Sequence, residues 1–452
     1  MSNGRPYRSS LFAGLLLILL GVIFLIDRNY PGLQIGHLVR LYWPFLLILW
    51  GVAKLFDHLS DRGAGQPRHG LLSGGEAVLL VLLAIVLSSF VFRDWLRDHF
   101  PGITLDLPAF HESYSEPMSP VQRTLQPGAR VAIATGRGDV TVHASDGDTL
   151  IVTATKSGPG SSESSAQERL REVAIAVDPQ GNGVLIHPIR MNSAPGGASV
   201  DIDVRMPRSS SLSIDAAHGD VNVSGISGNV DVRSGNGDTD VHDAGADVSV
   251  ESENGDIHIA RIGGNLRLSG RGDDVGIDSV AGNVAIDGAF GGDIDIHNVA
   301  KITHCATQFS ALTLGPLTGS MKMDSDDISL SGVSGDAKLI TRNKDVTADR
   351  ISGQLDIADS HSDINVTYAE PPRANINITD DSGDVDLTLP PNSNFSLSAM
   401  SRSGEVNSDF GGPALRPANY GDMQQLTGQF GSGGPRISIV NTYGTIQLSK
   451  AH

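Results

Sequence analysis

Residues 218–301 read HGDVNVSGI (218–226), SGNVDVRSG (227–235), NGDTDVHDA (236–244), GADVSVESE (245–253), NGDIHIARI (254–262), GGNLRLSGR (263–271), GDDVGIDSV (272–280), AGNVAIDGAF (281–290), GGDIDIHNVA (291–300) and Lys301. A Gly-Asp or Gly-Asn step followed by alternating apolar residues returns every nine residues. It sets Val221, Val230, Val248, Ile257, Leu266, Val275 and Val284 on one grid, with Thr239 in the remaining slot. A fixed period this short implies repeats stacked in space.

Alternate nine-residue units differ, so the true period is eighteen. One kind of turn carries an apolar residue, at Ile226, Ala244, Ile262, Val280, Val299, Leu317, Val333 and Ile351; the other, as in SGNGD, SENGD and GRGDD, is polar and glycine-rich. Period-two alternation within each unit marks a strand with one buried face. The fold expected is all-β, a parallel β-solenoid of about 18 residues per coil with two strands per coil, its coils about 4.8 Å apart. A hexapeptide helix would need apolar residues every six, which are missing. An antiparallel meander would also use nine-residue units, but would not require two turn types with one holding an apolar plug.

Composition agrees. Aromatic residues make up 5% of the 452 and glycine contributes 53, which suits a narrow aliphatic core with tight turns. The single cysteine, Cys305, has no Cys-His motif around it and reads as a small buried apolar residue. Residues 1–100 hold 9 Lys or Arg against 6 Asp or Glu. Of the chain's 33 and 51, that leaves 24 against 45 for the remainder. So acidic a domain should avoid nucleic acid and tolerate cations.

Residues 1–100 read as an α-helical transmembrane region of three segments: Leu11 to Ile26, Leu41 to Phe56, and Leu71 to Phe92. The first two are short for a bilayer, so a tight hairpin in thinned lipid and a re-entrant pair both stand as readings. A cleaved signal peptide would need a small-residue cleavage site, which the first segment lacks. Arg5, Arg8, Lys54, Arg62 and Arg68 on one side, against Arg28, Arg40, Arg93 and Arg97 on the other, bias the N-terminus toward the cytoplasm. Three spans then put the C-terminal domain outside the cytoplasm of a multi-pass bacterial membrane protein. Trp95 and Phe100 beside Arg93 and Arg97 suit the headgroup layer, and Glu76 at the edge of the third segment suits the interface.

Residues 101–120, with four prolines, read as a linker. The solenoid domain follows at 121–449: irregular cap strands at 121–215, regular coils at 216–368 and C-terminal strands at 374–449. SGPGSSESS reads as a polar loop, AQERLREVAIAV as a short helical turn leading into a strand, and PALRPANYGDMQQLTGQFGSGGP as an inserted surface loop. The cap strands are expected to cover the open edge of the stack.

The steps NGDI at 254–257 and SGDV at 382–385, the opening PGARVAIATGRGDVTV and the closing YGTIQLS resemble the putative-adhesin family of β-solenoid domains. GLLLILLGVIFLID followed by YWPFLLILWGVAKL resembles the short membrane region of LiaI/LiaF-type envelope-stress proteins. The resemblance implies a bacterial membrane protein with a β-helical domain, in surface attachment or envelope-stress signalling. Neither family supplies catalytic residues to carry over.

In the aligned coils Asp220, Asp238, Asp256, Asp274 and Asp293 share one corner, with Asp327, Asp345 and Asp363 returning after an interruption at Ala311. The opposite corner reads Asn229, Asp247, Asn265, Asn283 and then Lys301. Stacked carboxylates about 5 Å apart repel by roughly 1 kcal/mol in water, so the column needs an offset. Two are available: backbone N–H donors in each aspartate's own turn, or Ca²⁺ shared between rungs as a cation ladder. The nine-residue calcium repeat GGxGxDxUx does not match, because residues 234–241 have Asp at the fifth and seventh places. The 14 histidines, among them His143, His218, His242, His258, His297 and His304, lie at outward strand positions or turns. His258 and His297 fall on one face, without HExxH or HxxxH spacing. No nucleophile elbow or phosphate loop appears in a fitting context, and acidic residues occur on every coil, so no catalytic pair is picked out.

These readings converge on a non-catalytic, membrane-anchored envelope protein, an adhesin or surface-binding scaffold. Its expected partners are membrane lipid, a surface glycan or another envelope protein, and a second copy of itself. The alternative is a regulatory protein of envelope-stress signalling, and a third reading is a carbohydrate-active β-helix enzyme.

Overall fold

Inward residues of the repeat stack on their equivalents one coil away, and this decides the architecture. In the computed structural model, which describes residues 112–160, 163–189 and 197–451, the strands fall into two sheets facing each other across an aliphatic core. In the first sheet Val221–Ser224, Thr239–Ala244, Ile257–Ile262, Val275–Val280 and Ile294–Val299 pair in parallel with a shift of one coil. In the second, Ser211–His218, Val230–Asn236, Val248–Ser252, Leu266–Gly272, Val284–Phe290 and Thr303–Ala306 do the same. Every grid residue named above is buried, Thr239 among them. Each aliphatic one contributes roughly 1.5–3 kcal/mol by leaving water.

The two corners are built differently. At the plug corner Ile226, Ala244, Ile262, Val280, Val299, Leu317, Val333 and Ile351 are all buried, so the eighteen-residue alternation holds in three dimensions. The residue before every plug but Leu317, which follows Pro316 in the reversed coil, takes a left-handed conformation: Gly225, Asp243, Arg261, Ser279, Asn298, Gly332 and Arg350 have φ between 53° and 77°. Only two of these seven are glycine. At the polar corner glycine is required by contact, since a Cβ on Gly237 (φ 138°) would stand 2.2 Å from the carbonyl oxygen of Gly219.

The parallel stack is interrupted once, which corrects the expectation of an all-parallel solenoid. Ala311–Leu314 pairs antiparallel with Thr303–Ala306, and Leu317–Met323 pairs antiparallel with Ile294–Val299. Asp327–Val333 and Ala337–Ile340 then pair antiparallel with that reversed coil and restore the direction. Leu317 still stacks between Val299 and Val333, so the core passes through the reversal unbroken. Period-two burial is indifferent to strand direction, and the sequence therefore showed only a loosened grid.

Both ends depart from chain order. Val140–Ser145 lies between Ser199–Pro207 and Val221–Ser224, so residues 130–145 form a regular coil inside what reads as an irregular cap. At the far end Arg436–Tyr443 inserts between Ile376–Ser382 and Phe395–Ser403, while Ile446–Lys450 inserts between Val385–Leu389 and Val406–Ser408. Thr149–Gly160 and its antiparallel partners Glu112–Pro117 and Val121–Thr124 cover the first sheet's N-terminal edge, with the helix Glu163–Leu170 beside them. Part of the expected linker is thus strand; of the expected polar loop, residues 157–160 are strand and 163–165 open the helix. The expected surface loop is a hairpin, Leu415–Tyr420 with Met423–Phe430, continuing the second sheet. Phe395, Phe410 and Phe430 close that end with ring centroids 4.9–5.5 Å apart.

The three apolar segments, their orientation, Glu76 and residues 101–111 of the linker lie outside the described residues. Among the described residues no helix is long and apolar enough to cross a membrane.

Candidate functional site

Asp220, Asp238, Asp256, Asp274 and Asp293 stand in one column where the first-sheet strands begin. Each backbone N–H donates to Oδ1 of the aspartate one coil earlier: Asp220 to Asp139 (2.9 Å), Asp238 to Asp220 (2.9 Å), Asp256 to Asp238 (2.9 Å), Asp274 to Asp256 (3.1 Å) and Asp293 to Asp274 (2.8 Å). Asp139 itself donates to Asp201 Oδ1 at 3.1 Å. The offset to stacked charge is therefore a donor from the neighbouring coil, and not from the residue's own turn as expected. The close approach of Gly237 to Gly219, repeated at Gly219 over Gly138 and Gly255 over Gly237, sets coils near enough for each carboxylate to reach across.

The reversed coil modifies the column. Met323 pairs with Ile294, which sets Asp324 beside Asp293; Lys322 Nζ meets Asp293 Oδ2 at 3.1 Å. Ala311 is not the residue at the break, since it belongs to the second sheet. Asp324 accepts the N–H groups of Asp326 and Asp327 at 2.9 and 2.8 Å, which hold its carboxyl below the usual carboxylate range. Asp327 aligns with Asp345, and the ladder resumes from there: Asp363 donates to Asp345 at 3.0 Å, Asp384 to Asp363 at 2.8 Å and Thr445 to Asp384 at 2.7 Å. Asp324 and Asp384 escaped the sequence reading because the first precedes a reversed strand and the second follows the EPPR break.

The opposite corner runs on amides. Asn265 N–H donates to Asp247 Oδ1 (2.8 Å), Asn283 N–H to Asn265 Oδ1 (3.0 Å) and Ile302 N–H to Asn283 Oδ1 (3.3 Å). The place expected for Lys301 is taken by Ile302, because the coil before it is one residue longer.

Outward side chains of the first sheet form columns of their own. Asn222, Asp240, His258, Gly276 and Asp295 are register partners, and so are Ser224, His242, Ala260, Asp278 and His297. A shallow groove runs beside the ladder, lined by Asp238, Asp240, Asp256, His258, Asp274 and Asp295 among others. His258 and His297 share this face in different columns, and His297 Nε2 lies 2.9 Å from Asp295 Oδ1. Arg261 donates from Nε and Nη2 to Asp243 at 2.6 and 3.0 Å, holding that carboxyl well below its usual range. Among the described residues no group of three or more His, Cys, Asp or Glu side chains is arranged to hold a metal ion. Cys305 is fully buried, and burial pushes its thiol up to about 12, which suits a core residue and disfavours a thiolate.

The chain belongs to the Toastrack DUF4097 family, which matches residues 129–449. No curated protein matches it. Among solved structures, a putative cell adhesion protein from Clostridium sporogenes is 8% identical with a TM-score of 0.16, over 74% of this chain and 100% of that one. A putative adhesin from Bacteroides fragilis is 11% identical with a TM-score of 0.23, over 74% and 97%. A putative lipid binding protein from Parabacteroides distasonis is 14% identical with a TM-score of 0.18, over 73% and 96%. At these values the likenesses carry no argument about function.

Proposed function

We propose that this chain, a Toastrack DUF4097 protein, is a non-catalytic scaffold of the bacterial envelope, anchored through residues 1–100 and displaying its solenoid outside the cytoplasm. The observation that carries the reading is register: Asn222, Asp240, His258, Gly276 and Asp295 repeat one coil apart beside an unbroken run of five aspartates. A surface with a fixed repeat recognises an extended partner with a comparable repeat, and its acidity selects against phosphate-rich polymers. The partner class that fits is a hydroxyl-rich or cationic envelope glycan, or a basic strip of another envelope protein.

Two measurements test it. Protease should reach the C-terminal domain in intact cells or spheroplasts; protection in both sinks the scaffold reading. Binding of the full chain to immobilised envelope glycans should weaken when Asp240 and Asp295 are both changed to Lys, while unfolding is unaltered. The apolar run LFAGLLLILLGVIFLI supports a second reading, a regulatory membrane protein whose solenoid reports on the envelope. Deleting residues 121–452 separates the two: loss of attachment alone favours the scaffold, and a changed stress response favours the regulator.

A further inference from the structure

Inside the polar end of the second sheet runs a column of buried side chains that the aspartate edge does not use. In the regular coils it is small: Ala216, Ser234, Ser252 and Gly270 are register partners. Toward the C-terminal end it grows and becomes charged. Ile340 pairs with Ala358, and the Asp359 N–H donates to the Thr379 carbonyl, so Thr341, Asp359 and Asp380 follow one another. Asp380 then pairs with Asn441, and Asn441 with Ser401. Asp359, Asp380 and Asn441 are 6%, 1% and 0% exposed.

The hydrogen bonds at this place leave acceptors over. Thr341 is engaged by Ser310 at 2.8 Å and Ser362 Oγ donates to Asp359 Oδ2. Asn441 Nδ2 donates to the Gly383 carbonyl at 2.7 Å, which fixes the amide so that its oxygen faces the other way; Ser401 Oγ donates to the Gly444 carbonyl at 2.9 Å. Asp359 Oδ1, both carboxylate oxygens of Asp380 and Asn441 Oδ1 are buried without a partner. The amides of Asp381 and Ser382 approach the Asp380 carboxyl without completing hydrogen bonds of good geometry. Among the described residues no lysine or arginine forms an ion pair with Asp359 or Asp380.

Two carboxylates in adjacent coils, buried and unpaired, cannot both stay ionised without compensation. A single proton shared between them would satisfy two oxygens and leave two orphans, the Asn441 oxygen among them. A divalent cation would neutralise both charges and offer a partner to oxygens that have none. We infer that Asp359, Asp380 and Asn441 form an internal site for a hard divalent cation, Ca²⁺ in preference to Mg²⁺. Oxygen-only donors from three side chains suit the six to eight flexible ligands of Ca²⁺, the rest coming from backbone carbonyls and water. Mg²⁺ demands near-ideal octahedral geometry and gives up its waters reluctantly, so a buried set of protein oxygens favours the larger ion. Burial and the neighbouring Asp359 push the Asp380 carboxyl up to about 6, the electrostatic burden that a bound cation would relieve.

This site is distinct from the aspartate edge and independent of the display reading, and one experiment separates them. The full chain is stripped with EDTA and titrated by calorimetry with CaCl₂ and, separately, with MgCl₂, alongside D380N and D256N, with melting recorded at pH 7.5. One calcium per chain, an upward shift in Tm, at least tenfold weaker binding in D380N and unchanged binding in D256N are expected. D380N removes a buried charge without removing volume, so it should fold. No binding in the wild type, equal binding in D380N, loss of binding in D256N, or tighter binding of Mg²⁺ than Ca²⁺ would each overturn the assignment.

Discussion

Asp256 sits mid-ladder, donating its N–H to Asp238 Oδ1 at 2.9 Å and accepting that of Asp274 at 3.1 Å. Two substitutions separate its charge from its hydrogen bond. Both Asp256→Asn and Asp256→Ala remove the repulsion from Asp238 and Asp274, about 1 kcal/mol from each neighbour in water at the coil spacing. Only Asn keeps an oxygen where the Asp274 amide needs one. The opposite corner already works this way, with Asn283 donating to Asn265 Oδ1 at 3.0 Å. The Ala variant should therefore be less stable than the Asn variant by roughly 0.5–1.5 kcal/mol, the net worth of one hydrogen bond. The difference between Asn and wild type should shrink with added salt, since it is Coulombic. Urea unfolding of the full chain gives the energies, and hydrogen exchange of the Asp274 amide gives the local readout: protected in wild type and Asn, fast in Ala. If Asn and Ala were equally destabilised, or if the Asp274 amide exchanged alike in all three, the ladder would not be held together by these bonds.

Gly237→Ala should destabilise by about 1–3 kcal/mol from backbone strain alone, before the clash with the Gly219 carbonyl is counted, and would show as a lowered urea midpoint. Ser279→Gly should instead stabilise by up to about 1 kcal/mol, because φ is +61° there; the part-buried bond from its hydroxyl to Asp278 Oδ2 offsets part of the gain. The Asp380 carboxyl is raised to about 6 in the folded chain, above its unfolded value near 3.9, so its contribution is fully present below about pH 4 and lost as pH rises through 6. Calcium-free wild type should accordingly lose stability across that window relative to D380N, in melts recorded from pH 4 to pH 8.

Little of the candidate site was beyond the reach of the sequence, and what escaped has a common cause. The five aspartates, the amide corner as far as Asn283 and the eight apolar plugs follow from a period of eighteen with slips of one or two, because equivalent spacing in a stack means equivalent placement. Asp324 escaped because it sits at the turn of a reversed coil. The pairing of Asp359 with Asp380 escaped because the EPPR break makes that step three residues longer than eighteen.

Alternation and period by themselves determined that the chain is a two-faced stack of strands with an aliphatic interior and two unlike corners, since burial on one side of a strand is written every second residue. Tertiary structure alone decided the direction of each strand, the insertion of the last coil between earlier ones, and the donor that each carboxylate finds. Inward and outward alternation is the same whichever way a strand runs, and a hydrogen bond between coils depends on how closely two backbones approach, a distance that glycine permits but no single repeat encodes.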